Sequence, residues 1–328
     1  MIPIRDTTPS KTVPIVNYSL ICMNIFFFMV QLAQGSELAH FDYLYGLVPA
    51  RYFTSDAYDY FGIGHQSLSF FSYMFLHGGF FHLLGNMWFL YIFGDNVEEH
   101  LGPFRYLVFY LLCGIASGLF HMVFNINSNI PVIGASGAIA GVMGAYIVLH
   151  PHARILTLVP VIIIPFFFEI PAFIFLGLWF LIQFFNAATT PAFASSVAWW
   201  AHVGGFVFGA GFLKLSGRIP HTGISQMTRH VTERKKTPML QVIHPLGPVD
   251  DPNLYGTMVI TPFEAVHGAR KIVNIPWGFQ KRMYNVTVPP DTRAGNILRL
   301  NGLGKIMRDG SRGDMLLTVR VAGEPVAG

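Results

Sequence analysis

The sequence predicts an all-α membrane bundle of six transmembrane helices, followed by a small soluble all-β domain. Three observations predict it. The 328 residues are 52% hydrophobic and only 12% charged, roughly half the charge of an ordinary soluble domain. The charges are also unevenly placed. From residue 106 to 213 the only Asp, Glu, Lys or Arg residues are Arg154 and Glu169, whereas from Lys214 onward 16 basic residues face 8 acidic ones. Beyond residue 253, long apolar runs give way to short β-like runs separated by turn residues.

The spans follow in order. Uncharged stretches suited to crossing ~30 Å of hydrocarbon are 15–33, an interval ending at Gly94, 106–124, a shorter one at 134–149, a segment within 170–187, and 197–213. The first is too long for a signal-peptide core and lacks a small-residue cleavage site, so it reads as a retained span. The run 155–187 exceeds one crossing and contains Pro160, Pro165 and Pro171. Part of it is expected to be re-entrant or interfacial, lying against protein. Cys22 and Cys113 sit in apolar runs, too few for a disulfide framework, and read as packing residues.

Basic residues set the orientation. Arg5 and Lys11 precede the first span, Arg105 lies between the second and third, Arg154 follows the fourth, and Lys214 and Arg218 follow the sixth; the opposite loops hold Arg51. By the positive-inside rule both termini face the cytoplasm, as in a multi-pass protein of the plasma (inner) membrane. The expected divisions are a membrane domain at 1–218, a His-, Pro- and Thr-rich basic linker at 219–252, and a cytoplasmic β domain at 253–328. The β domain contains the runs TMVIT, KIVNI, YNVTV, ILRL and MLLTVRV, punctuated by PPDTRAG and RDGSRGD.

Polar groups are costly inside a membrane span, so their positions carry information. With a cytoplasmic N-terminus, the second, fourth and sixth spans all enter from the outer side. His82 and Asn86 then fall early in the second, and Ser136 opens the fourth. His202 lies about five residues into the sixth, ~8 Å down at 1.5 Å per residue. Four polar side chains on three helices thus share one depth.

Ser136 stands in Gly134-Ala135-Ser136-Gly137, with Gly141 and Gly144 following. A serine that opens a helix has unsatisfied backbone N–H groups beside it, the donors an oxyanion needs. The same glycines equally serve close helix packing. His202 lies in AHVGG with Gly209 and Gly211 beyond. It reads either as a hydrogen-bonded core group or as a base for Ser136, since two small-residue faces let these spans approach closely. Glu169 is at the wrong depth to be a carboxylate third member, so a dyad is expected. His82 and Asn86 are four apart, on one helical face, and each has a hydrogen to donate toward an oxyanion. A metal bound by His77, His82 and His202 is the competing reading, disfavoured by the lack of acidic ligands at that depth. No cofactor, metal or nucleic-acid partner is expected.

The stretch HGGFFHLLGN from His77 to Asn86, GASG around Ser136 and AHVGG around His202 together resemble the rhomboid family of intramembrane serine proteases, over roughly residues 14–215. The resemblance implies a six-helix bundle around a water-filled cavity and cleavage of other transmembrane proteins in the lipid bilayer. It makes Ser136 the nucleophile and His202 the base, with His82, Asn86 and the Ser136 N–H as the oxyanion hole. Family members often carry Tyr four residues after the serine, packed on the catalytic ring. This chain has Ala140, with Trp199, Trp200 or a Phe as candidate replacements. An inactive rhomboid-like binder that escorts membrane clients is the alternative, marked by loss of Ser136 or His202; both are present. A transporter fits less well, because no intramembrane charges mark an ion path. Residues 254–321 resemble a substrate-binding β subdomain of DnaJ-type co-chaperones, through TPFEAVHGARKIVNIPWG, VTVPPDTRAGNILRLNGLGK and RGDMLLTVRV. That likeness implies peptide binding or self-association; the HPD tripeptide and Cys repeats of those proteins are absent.

Overall fold

A computed structural model describes residues 1–8, 10, 12–53, 55–161, 164–190, 197–216, 237, 239–248, 251–277, 280–307 and 310–322. The chain divides into two compact units, Ile2–Thr157 with Glu169–Thr232, and Leu158–Phe168 with Glu233–Gly328. Most of the expected linker, 219–236 above all, lies outside the described residues.

The first unit is helical. After strand β1 (Ile2–Asp6) come α1 (Ile15–Leu32), α2 (Leu38–Tyr45), α3 (Ser55–Ser72, kinked at Gly62), α4 (Phe80–Leu101), α5 (Pro103–Phe124), α6 (Ser136–Leu149), α7 (Ala172–Thr189) and α8 (Trp199–Ser216). Helices α1, α5 and α7 are long and apolar enough to cross a membrane. Their outward side chains support that reading: Phe26, Met29, Val123 and Phe185 are each more than half exposed, an apolar surface that water would not tolerate at such density. Six helices coincide with the six expected spans, but among the described residues three meet the length and hydropathy of a crossing by themselves. Helix α6 has 14 residues, and α4 carries Asp95, Glu98 and Glu99 in its second half.

One of those acids, Glu98, explains how the bundle starts. One Glu98 oxygen accepts the Val16 N–H at 3.1 Å and the other accepts the Asn17 N–H at 2.7 Å. Helix α1 has no side-chain cap of its own, so a carboxylate from α4 satisfies its first donors and complements its dipole. Asn17 Nδ2 donates to Leu90 O at 3.0 Å, and Tyr106 Oη donates to Asn17 Oδ1 at 2.7 Å, tying α1, α4 and α5 together.

Where the proline-rich run was expected to re-enter the membrane, the chain forms strands β2 (Arg154–Val161) and β3 (Ile164–Pro171) ahead of α7. Pro160, Pro165 and Pro171 would each cost a helix a donor, and the Ile and Val residues among them favour extended backbone. Thr7 N donates to Arg154 O at 2.9 Å, and Arg154 N to Thr7 Oγ1 at 3.0 Å, anchoring the start of β2 beside the end of β1.

In the second unit all five β-like runs are strands: β5 (Leu254–Ile260), β6 (Ala269–Trp277), β7 (Gln280–Val288), β8 (Ile297–Leu300) and β9 (Met315–Val321). A short β4 (Leu240–Val242) and a one-turn helix α9 (Pro262–His267) were not anticipated. Two three-stranded sheets result, of order β5-β9-β8 and β4-β6-β7. β5 runs parallel to β9 and β4 parallel to β6, whereas the β8–β9 and β6–β7 pairs are antiparallel. Alternate residues of β9, Met315, Leu317, Val319 and Val321, are buried with Met258, Ile260, Val273 and Val286 in one apolar core.

Beneath α9 lies a buried ion pair, Lys271 Nζ on Glu264 Oε1. Burial pushes the Glu264 carboxyl up, but Lys271 and the backbone donors of Thr237 and Thr261 outweigh it and hold the group below its ordinary 4.5. A depressed folded value contributes stability above pH 4.5 that is lost as pH falls through the folded value. Glu264→Gln leaves a buried ammonium without its counter-charge and should cost ~3–5 kcal/mol at pH 7. Much less should be lost on changing both residues to Gln and Met. Hydrogen exchange of β6 and β7 amides in the full chain reads this, and unchanged protection in Glu264→Gln would dismiss the pair as a stabilising element.

Candidate active site

The site is built where α6 begins. Leu47 and Val132 exchange backbone hydrogen bonds of 3.0 and 2.8 Å, and Gly134 N donates to Tyr73 O at 2.9 Å, fixing the chain that leads into Ser136. Gly134 has φ +131°, and a Cβ there would meet the His82 ring at 2.9 Å, so a side chain at this position is excluded twice. Ser136 is the first residue of α6, with no side-chain cap beside it.

Helix α8 brings the imidazole. A Cβ on Gly205 or Gly209 would strike the carbonyl of Gly137 or Gly141, and one on Gly144 would strike that of Phe206. The two helices are therefore in backbone contact along one seam. His202 is buried. Its Nε2 lies 2.8 Å from Ser136 Oγ, and its Nδ1 lies 2.8 Å from Gln183 Oε1 on α7. Two indoles flank the ring: Trp179 at a centroid distance of 5.9 Å and Trp199, edge-on, at 6.0 Å. Of the aromatic groups expected to stand in for the missing tyrosine at Ala140, Trp199 is in place. Trp200 instead stacks on Phe124 at 4.0 Å.

Helix α4 completes the lining. Gly78 N donates to His82 Nδ1 at 3.2 Å, which leaves the hydrogen on Nε2. That Nε2 faces Gly134: the point a Gly134 Cβ would occupy is 3.0 Å from it and 3.7 Å from Ser136 Oγ. The loop before α4 is held by α1, because Gln31 Oε1 accepts from His77 N at 2.8 Å and Gln31 Nε2 donates to His77 O at 3.2 Å. Asn86 is buried, and its Nδ2 has no hydrogen-bond partner among the described residues. Ser136, His202, His82 and Asn86 all line a single cavity of about 610 Å³, together with Gln183, Trp179 and Met143.

A serine whose hydroxyl rests on an imidazole, facing two side-chain donors across a cavity, is an arrangement for acyl transfer. The family model for the rhomboid domain matches residues 64–218. Residues 64–218 are a rhomboid domain. Its rhomboid domain contains all four of these side chains, and with three helices fit to cross a bilayer the chain is an integral membrane protein. It is similar to Rhomboid protein 1, mitochondrial, of Saccharomyces cerevisiae, with 31% identity over 144 residues, 41% of this chain and 38% of that protein. It is similar also to Inactive RHOMBOID-like protein 8 of Arabidopsis thaliana, with 41% identity over 70 residues, 21% and 19% of the two chains. A third likeness, 32% over 84 residues, is to the Curved DNA-binding protein of Pseudomonas putida, covering 26% of this chain and 25% of that one. The matches span well under two thirds of each of these relatives.

Sequence reasoning missed Gln183 and Trp179. An amide in the otherwise apolar helix FIFLGLWFLIQFF is the signal that could have found the first. Glu169, set aside as a third member, lies on β3 with its Oε2 3.9 Å from Arg154.

Proposed function

We propose that this rhomboid protein is a serine endopeptidase that cleaves transmembrane substrates within the bilayer, using Ser136 and His202 as a dyad. The 2.8 Å contact of Ser136 Oγ with His202 Nε2, in the cavity that also presents His82 and Asn86, carries this reading. Ser136 Oγ attacks the scissile carbonyl carbon as its proton passes to His202 Nε2. The carbonyl oxygen, now an oxyanion, takes hydrogen bonds from the Ser136 N–H, His82 Nε2–H and Asn86 Nδ2–H. Collapse breaks the C–N bond, and His202 returns the proton to the leaving amine. Water then attacks the acyl-enzyme in the reverse sense. The test is incubation of purified full-length protein with a panel of single-span membrane proteins, with Ser136→Ala run in parallel. One relative is inactive by name; retention of both Ser136 and His202 favours the enzyme over an escort.

In this reading residues 1–218 form the six-span protease domain, 219–252 a linker and 253–328 a cytoplasmic β domain that binds peptides or self-associates. Both termini face the cytoplasm of a plasma (inner) membrane. A cytoplasm-active reporter fused after Arg218 should therefore be active, and one inserted near Ser128 inactive. The opposite pattern would place the cavity on the wrong side.

A further inference from the structure

The Nδ1 partner of the base is the feature this mechanism leaves unused. Gln183 is buried, whereas Leu181, Ile182, Phe184 and Phe185 around it on α7 are apolar and exposed. A carboxamide in such a helix is costly unless it is hydrogen-bonded, and its Oε1 stands 2.8 Å from His202 Nδ1. The titratable groups that act on the imidazole are His82 of α4 and His121 of α5, and among the described residues its hydrogen-bond partners are Gln183 and Ser136, with no carboxylate.

We propose that Gln183 is the positioning residue of His202, a neutral third member whose Oε1 holds the hydrogen on Nδ1 and so leaves Nε2 free to accept the Ser136 proton. The inference rests on the serine-protease reading. Its logic is that of a directional chain. A carbonyl oxygen only accepts, so Nδ1 must donate. The remaining lone pair then lies on Nε2, 2.8 Å from Oγ. With the opposite tautomer Nε2 carries the hydrogen and cannot act as base. Helix α7 also supplies Trp179, one turn earlier, whose ring lies 5.9 Å from the imidazole. One helix therefore provides both an aromatic platform and a polar anchor for the ring. Ala140 on α6, a lone methyl group, provides neither.

The experiment compares parent, Ser136→Ala, Gln183→Leu and Gln183→Glu full-length protein on one single-span substrate over a range of pH. Gln183→Leu should lower kcat roughly 10-fold to 100-fold with little change in KM, because geometry and tautomer of the base are lost while the substrate cavity keeps its donors. Gln183→Glu keeps an acceptor and should restore much of kcat. Its carboxylate favours the charged ring, so the acid limb of the pH–rate profile should move to higher pH. In Gln183→Leu that limb should move to lower pH, since the charged ring has lost an acceptor. A residue that merely ties α7 to α8 would move neither limb. Independently of turnover, nitrogen NMR of the Ser136→Ala protein should find the hydrogen of His202 on Nδ1, and Gln183→Leu in that background should mix the two tautomers. Active Ser136→Ala would overturn the protease reading and this inference with it. Dead Ser136→Ala alongside Gln183 variants that share the parent's kcat and profile would overturn this inference alone.

Discussion

With Ser136 replaced by alanine, cleavage of a single-span substrate is expected to fall by roughly 10⁴-fold to 10⁶-fold, and His202→Ala is expected to do the same. The two losses should not add, because the groups act as one unit. Ser136→Ala removes one hydroxyl at the mouth of a cavity and should leave expression and thermal midpoint unchanged. His202→Ala also strands the buried Gln183 amide, so a modest drop in midpoint is expected beside the loss of turnover. Asn86→Ala should fall between these and the parent. Its Nδ2 is buried without a partner among the described residues, which suits a donor waiting for an oxyanion. Loss of one such donor lowers kcat by about 10²-fold to 10³-fold, less if His82 and the backbone share the load, with KM little changed. Turnover by Ser136→Ala would sink the nucleophile assignment, and a normal kcat in Asn86→Ala would leave that residue to helix packing.

The second large effect is expected from a single methyl group. A Cβ on Gly205 would collide with the Gly137 carbonyl and lie 3.3 Å from Ser117 Cβ, and one on Gly209 would sit 2.6 Å from the Gly141 carbonyl carbon. Backbone cannot swing aside as a long side chain can. Gly205→Ala and Gly209→Ala must therefore part α6 from α8, at a cost of about 1–3 kcal/mol or more. The same displacement separates Ser136 from His202, and ~1 Å of misplacement costs on the order of 10²-fold in rate. Gly177 and Gly211 are the controls, since a Cβ there meets nothing within 4 Å. Thermal midpoint and kcat should be preserved in Gly211→Ala and both lowered in Gly205→Ala. Identical behaviour of the two would refute the seam as the element that sets the pair's spacing.

Much of this arrangement was legible in the sequence, and the reason is that a membrane limits what polar residues do. Depth along each helix follows from counting, so His82, Asn86, Ser136 and His202 could be gathered at one level, and the small residues of GASG and AHVGG marked the faces that meet. The five strands of the second unit were legible because alternation is local. What escaped notice depends on contacts between distant segments. The amide of Gln183 gains its meaning from a ring 19 residues away, and Trp179 joins the expected Trp199 at that ring while Trp200 stacks elsewhere. The strands at 154–171 were hidden by their own hydrophobicity, although the prolines argued against a helix. Helix α9 was overlooked despite a visible signal: Thr261 and Glu264 form a reciprocal capping box.

The cap supplied to α1 by Glu98 also has a consequence for biosynthesis. Glu98 lies 81 residues after Asn17, so at ordinary ribosome speed it emerges about 4–16 s later. Throughout that interval the leading end of α1 has only water or headgroups to receive its N–H groups. The first turn of α1 is therefore left unlatched until the fourth helix arrives to close the clasp.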